Sequence, residues 1–165
     1  MKKLIAAAAL SVAVLLPSAS FAATLLFPSA DPVAQITIPD AWNPEETDYG
    51  IQANSDDDAI YIAIDVADDK TTEKVIDDAF SFLQNNGVTV DTSTQKQSED
   101  ALNGMKMVNF DWSGKDNDGE VSIGISLVAA KPGKLLVITY WGTKGEQEKH
   151  AQELMGLITS LKPAK

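Results

Sequence analysis

A chain of 165 residues with a formal net charge of −11 and no cysteine has the size of one domain, and it can carry neither a disulfide framework nor a cysteine nucleophile. All 13 basic residues are lysine, so the surface repels nucleic acid and lacks the bidentate guanidinium grip on phosphate.

Lys2 and Lys3 precede an apolar stretch from Leu4 to Leu16, too short to span a bilayer, and Ser20 and Ala22 supply the small side chains a signal peptidase requires. Residues 1–22 therefore read as a signal peptide cleaved near Ala22. The product is expected to be periplasmic or secreted, with no integral membrane segment after processing. Without cysteine it has no lipid anchor at its N-terminus. Processing leaves about 143 residues and moves the charge from −11 to −13.

Residues 23–33 read as an irregular leader, because Pro28 and Pro32 interrupt backbone pairing. A single α+β domain is expected over 34–163. Its first strand runs from Ala34 to Ile38 and stops at Pro39, after which Trp42 folds back onto the core. Tyr49 to Asn54 and Ala59 to Val66 follow as strands around the bend at Asp56, Asp57 and Asp58. In the second of these, Ile60, Ile62, Ile64 and Val66 share one face while Tyr61, Ala63 and Asp65 share the other. Val75, Ile76, Ala79, Phe80 and Leu83 recur at helical spacing, with Thr71 as N-cap and Gly87 as the C′ residue. Residues 93–98 form a polar edge strand, and Asn103-Gly104 a tight turn. Met105 to Ser113, Glu120 to Ala130 and Lys134 to Trp141 are three strong strands joined by short hairpins. A capping box from Thr143 to Glu146 opens the last helix, whose apolar side is Ala151, Leu154, Met155, Ile158 and Leu161. The order βββαββββα predicts an antiparallel sheet of about six or seven strands packed with two main helices.

No residue set announces catalysis. The one histidine, His150, borders an apolar helical stripe and reads as half-exposed; G-x-S-x-G is absent. Asp116-Asn117-Asp118-Gly119-Glu120 resembles part of a calcium loop, but Gly114 and Ile125 stand where its first and last ligands belong, so a hairpin turn accounts for it better. Asp56, Asp57 and Asp58 admit the same two readings, weak calcium binding or a hydrated bend. Trp112, Trp141 and Tyr140 could frame a ligand pocket or partner surface. Val108, Phe110 and Trp112 alternate on one face, as do Leu135, Val137, Thr139 and Trp141, which fits packing under a helix.

Ile36-Thr37-Ile38-Pro39-Asp40-Ala41-Trp42, the first helix, the Asn103-Gly104 turn and the ending Ile158-Thr159-Ser160-Leu161-Lys162-Pro163 make the chain similar to the exported bacterial branch of the Mog/PsbP-like superfamily. These are fold-building residues, and no functional motif is carried over. The resemblance implies an antiparallel sheet flanked by helices and an accessory or binding role rather than catalysis. The expectation is thus a monomeric, non-enzymatic accessory protein of the bacterial envelope, whose partner is an envelope protein or a small ligand. Weak calcium binding is the alternative, and a carboxylate-based hydrolase ranks behind it.

Overall fold

The computed structural model describes residues 22–165; the expected signal peptide, all but Ala22, lies outside them. Ten strands and two α-helices follow in chain order. They are β1 (Ala22–Phe27), β2 (Ala34–Pro39), β3 (Glu45–Glu46), β4 (Gly50–Asn54), β5 (Ile60–Ala67), α1 (Thr72–Asn85), β6 (Thr89–Leu102), β7 (Met105–Lys115), β8 (Glu120–Lys131), β9 (Lys134–Thr143), α2 (Ala151–Ser160) and β10 (Lys162–Pro163). The expected α+β class holds. The main sheet has seven antiparallel strands in the order β3-β4-β5-β9-β8-β7-β6, and a second sheet, β1-β2-β10, is centred on β2.

Because side chains alternate across a strand, the main sheet separates two cores. Ile60, Ile62 and Ile64 of β5, with Leu136 and Ile138 of β9, face β2 and α2, where Phe27, Ile36, Trp42 and Leu157 complete a buried cluster. On the opposite face, Val75, Ala79 and Leu83 of α1 cover Val121, Ile123, Ile125 and Val137. Burying each such aliphatic side chain contributes about 1.5–3 kcal/mol, and these clusters hold the helices to the sheet. At the edge, β4 approaches β5 so closely that a Cβ on Gly50 would lie 1.8 Å from the Ile64 carbonyl oxygen. Asn103 and Gly104, at φ 51° and 84°, form the expected two-residue turn, and Asn103 Nδ2 donates to the carbonyls of Thr159 and Leu161 at 2.8 and 2.7 Å, tying that turn to the end of α2.

Several expectations need correction. The supposed leader, 23–33, is not irregular throughout: with Ala22 its first residues form a strand paired along β2 from Ala22↔Pro39 to Phe27↔Ala34, anchored by Phe27 at 1% exposure; the prolines lie in the connection beyond it and do not disturb it. The polar edge strand extends over 14 residues, with its register shifting between Asp91 and Lys96. Thr71 precedes α1 without capping it, since its hydroxyl donates to Asp68 Oδ1 and accepts the Asp68 N–H. The Thr143–Glu146 capping box does not form. A 3₁₀ turn, Gln147–His150, intervenes, and Glu146 pairs with Lys149 instead. That turn rotates α2, so Leu157 is buried at 1% while Met155 is exposed at 65%.

Candidate functional site

The β4–β5 bend and the start of α2 meet through a carboxylate–imidazole chain. Asp57 Oδ1 accepts hydrogen bonds from the Ser55 hydroxyl at 2.9 Å and the Ala59 N–H at 3.1 Å, and it lies 2.9 Å from His150 Nε2. His150 Nδ1 lies 2.8 Å from Glu153 Oε2, and the ring meets Trp42 edge-on at a centroid distance of 5.9 Å. The histidine expected to be half-exposed is buried, because the 3₁₀ turn directs it inward. The hydrogen bond to Glu153, and then the one to Asp57, raises its pKa above 6.5. In turn, the His150 hydrogen bond and the Ala59 N–H lower that of Asp57 to about 2. The geometry suits an imidazolium clasp joining two segments 93 residues apart. One oxygen each from Asp56 and Asp57 and a nitrogen of His150 also lie within 4.8 Å of one another, the one such group among the described residues.

The other acidic positions go elsewhere. Asp116 Oδ1 accepts the N–H groups of Asp118 and Gly119 at 2.9 and 3.0 Å, so it is spent on its own hairpin turn. Glu120 opens β8 and faces Lys144 at 3.6 Å. Asp58, Asp116 and Asp118 nonetheless share the walls of an open cleft of about 370 Å³ with Asn86 of α1's end and Trp141 of β9.

That cleft continues into a crevice of about 310 Å³ between α1 and strands β4, β5 and β9; the two share Gln52, Tyr61 and Phe82. Tyr61 stacks on Phe82 at 4.9 Å and on Trp141 at 4.8 Å, forming an aromatic ridge between them. Trp141 is half-buried there, whereas Trp112 is buried under α1 against Phe80. Tyr140 points to the opposite face, donating its hydroxyl to Gln147 Oε1 at 2.6 Å, and burial pushes its pKa up to about 12. Of the three proposed ring positions, only Trp141 lines this groove.

The crevice walls are Val75, Ala79, Ala63 and Phe82, with Asp48, Asp65 and Asp78 around them. Asp65 is half-buried, and burial pushes its pKa up to about 6 against an opposing hydrogen bond from Thr47. Among the described residues, Thr139 Oγ1 is the one buried side-chain polar atom with no hydrogen-bond partner, and Thr139 also lines the crevice. Sequence reasoning placed Asp65 and Thr139 on the correct faces but missed them as site residues. The available signal was an aspartate at an inward position of a β-strand facing an amphipathic helix.

No family model matches the chain, and no curated protein matches its sequence significantly. Solved structures do resemble it in shape. The cyanobacterial PsbP (CyanoP) of Synechocystis sp. PCC 6803 superposes with a TM-score of 0.58 at 9% identity, over 93% of this chain and 98% of that one. A Bacteroides thetaiotaomicron protein gives 0.56 at 12% identity, over 86% of this chain and 48% of its own length. The Saccharomyces cerevisiae Ran-binding protein Mog1p gives 0.49 at 11% identity, over 87% and 95% of the two chains. The chain has the PsbP-like fold; at these identities the likeness extends to the fold alone.

Proposed function

We propose that this protein is a non-enzymatic binding or accessory protein of the bacterial cell envelope, and that the groove beside α1 is where it binds. The observation that carries the binding reading is a buried, unpartnered Thr139 hydroxyl in a crevice that combines apolar walls with a few aspartates, since such a group normally has a partner and a concave apolar site with a few polar groups is the usual form of a ligand pocket. The export reading rests on Lys2, Lys3, the apolar stretch after them and the small residues at Ser20 and Ala22. Expressed as the full chain in a bacterium, the protein is expected in the periplasmic or culture fraction, shortened by about 22 residues. Native mass spectrometry of that product should find a small molecule that Phe82→Ala, which removes a wall common to cleft and crevice, releases. An uncleaved cytosolic chain overturns the envelope reading, and a wild-type protein that carries no more bound mass than Phe82→Ala overturns the groove as binding site.

A second reading keeps divalent-cation binding, now drawn to Asp56, Asp57 and His150 by their spacing. With Glu153 on the far nitrogen of His150, the arrangement has the form of a carboxylate-oriented imidazole ligand. A ring nitrogen suits zinc better than calcium. Millimolar calcium should leave the melting temperature unchanged, while micromolar zinc raises it at pH 8 and fails to do so in His150→Gln. No zinc response in the parent protein removes this reading.

A further inference from the structure

The crevice under α1 has a chemical character sharper than that of a generic pocket. Its floor is the face of the main sheet that α1 covers, where Thr139 pairs with Ala63 across β9 and β5 and Asp65 is the next inward residue of β5. Diagonal neighbours on one sheet face stand roughly 7–8 Å apart, a spacing that one small molecule can bridge. Asp65 shares the crevice with Ala63 and Val75 and takes a hydrogen bond from Thr47, and among the described residues no lysine or histidine forms an ion pair with it. Burial raises its pKa to about 6, the response of a carboxylate lacking a countercharge.

At the mouth the chain itself shows what the rim attracts. Lys74, on the first turn of α1, pairs with Asp78 and holds its ammonium 5.7 Å from the centroid of the Tyr49 ring. Both Tyr49 and Asp78 line the crevice. An ammonium over an aromatic face beside a carboxylate gains from both charge and ring quadrupole, and farther in, Tyr61 and Phe82 offer a second aromatic surface.

Resting on the binding reading above, we propose that the crevice takes a small organic ammonium compound, with its charged nitrogen between Asp65 and the Thr139 hydroxyl and its apolar body against Tyr61 and Phe82. The ammonium donates to both oxygen acceptors, so Thr139 gains the partner it lacks. Lys74 competes weakly for the entrance.

Isothermal titration with 2-phenylethylamine, 2-phenylethanol and 3-phenylpropionate tests this on the purified protein at pH 7.5. The amine is expected to bind at least about tenfold more tightly than the alcohol, a difference typical of a charge-assisted hydrogen bond, and the carboxylate not at all. Asp65→Asn, close to isosteric and free of the buried charge, should level amine and alcohol. Thr139→Val should weaken the amine several-fold while leaving the melting temperature equal or higher, which a merely structural threonine would not do. Lys74→Met should tighten amine binding. Equal affinity for amine and alcohol, or an Asp65→Asn variant that keeps the preference, overturns the ammonium assignment while leaving a binding groove intact. Absence of amine binding up to millimolar concentration also overturns it. The groove reading fails separately, through the retained-ligand experiment with Phe82→Ala.

Discussion

Trp42→Ala lowers the unfolding free energy by about 3–5 kcal/mol, the range for truncating a buried aromatic ring. Trp42 is 1% exposed and closes a short 3₁₀ helix, Asp40–Trp42, followed by Asn43 in the left-handed region at φ 47°. The backbone there aims the ring into the core between the main sheet and the β2 layer. Its indole N–H reaches Glu153 Oε2 at 3.4 Å, and its ring edge meets His150, so truncation also loosens the clasp. Denaturant midpoints of Trp42→Ala and Trp42→Phe measure the two effects, with phenylalanine restoring part of the apolar packing and none of the N–H contact. A loss below about 1 kcal/mol for the alanine variant would contradict the placement of Trp42 in the core.

Stability should peak in acid, near pH 4, and fall as the solution is made neutral. Three groups of the clasp and the crevice shape this profile, while Asp68 and Glu148, both lowered by hydrogen bonds, add to the loss in acid. Asp57, ordinarily near 3.8, is lowered to about 2 by His150; its contribution is present above 3.8 and lost as pH falls toward 2. Asp65 is raised from 3.8 to about 6 by burial; its protonated form fits the fold, so that contribution is complete below 3.8 and lost as pH rises through 6. His150 is raised above 6.5 by Glu153; its contribution is complete below 6.5 and lost at still higher pH. The Asp65 limb amounts to about 2 kcal/mol, from 1.36 kcal/mol for each tenfold change in proton affinity and allowing for partial exposure. Urea denaturation between pH 3 and 9 should show that limb in the parent protein and a flat stretch from 4 to 6 in Asp65→Asn. His150→Gln should remove the decline above 6.5 and also weaken the acid limb, because the His150 hydrogen bond is the main cause of the lowered Asp57 pKa. A parent profile flat between 4 and 6 would mean that Asp65 is solvated. Occupancy of the crevice by an ammonium compound should likewise flatten this limb, because the cation supplies the missing countercharge.

Trp42 and the crevice holding Asp65 lie on opposite faces of the same sheet. Alternation in β5 was legible because isoleucines occupy one face without interruption, and a one-residue slip would expose all of them. The α1 stripe was legible for a similar reason: Val75, Ala79 and Leu83, all buried, recur at four-residue spacing. In α2 the periodicity placed the helix but not its rotation. Leu154, Met155, Leu157 and Ile158 leave several apolar faces open, and only packing against β2 and the preceding 3₁₀ turn selected Leu157 over Met155. The leader was misread because Pro28 and Pro32 are strong local signals, whereas β1 owes its pairing to a β2 partner that local rules do not see.

Composition and periodicity by themselves determined an acidic, cysteine-free α+β domain with its helices on an antiparallel sheet, because burial of alternating and helically spaced apolar residues requires no knowledge of distant partners. The candidate site belonged to the tertiary structure. His150 reaches Asp57 across 93 residues, and Thr139 and Asp65 meet one crevice only because β9 pairs with β5 in a single register beneath α1. Hydrogen-bond satisfaction, burial of a charge and the shape of a groove are properties of which segments meet, and spacing along the chain does not encode them.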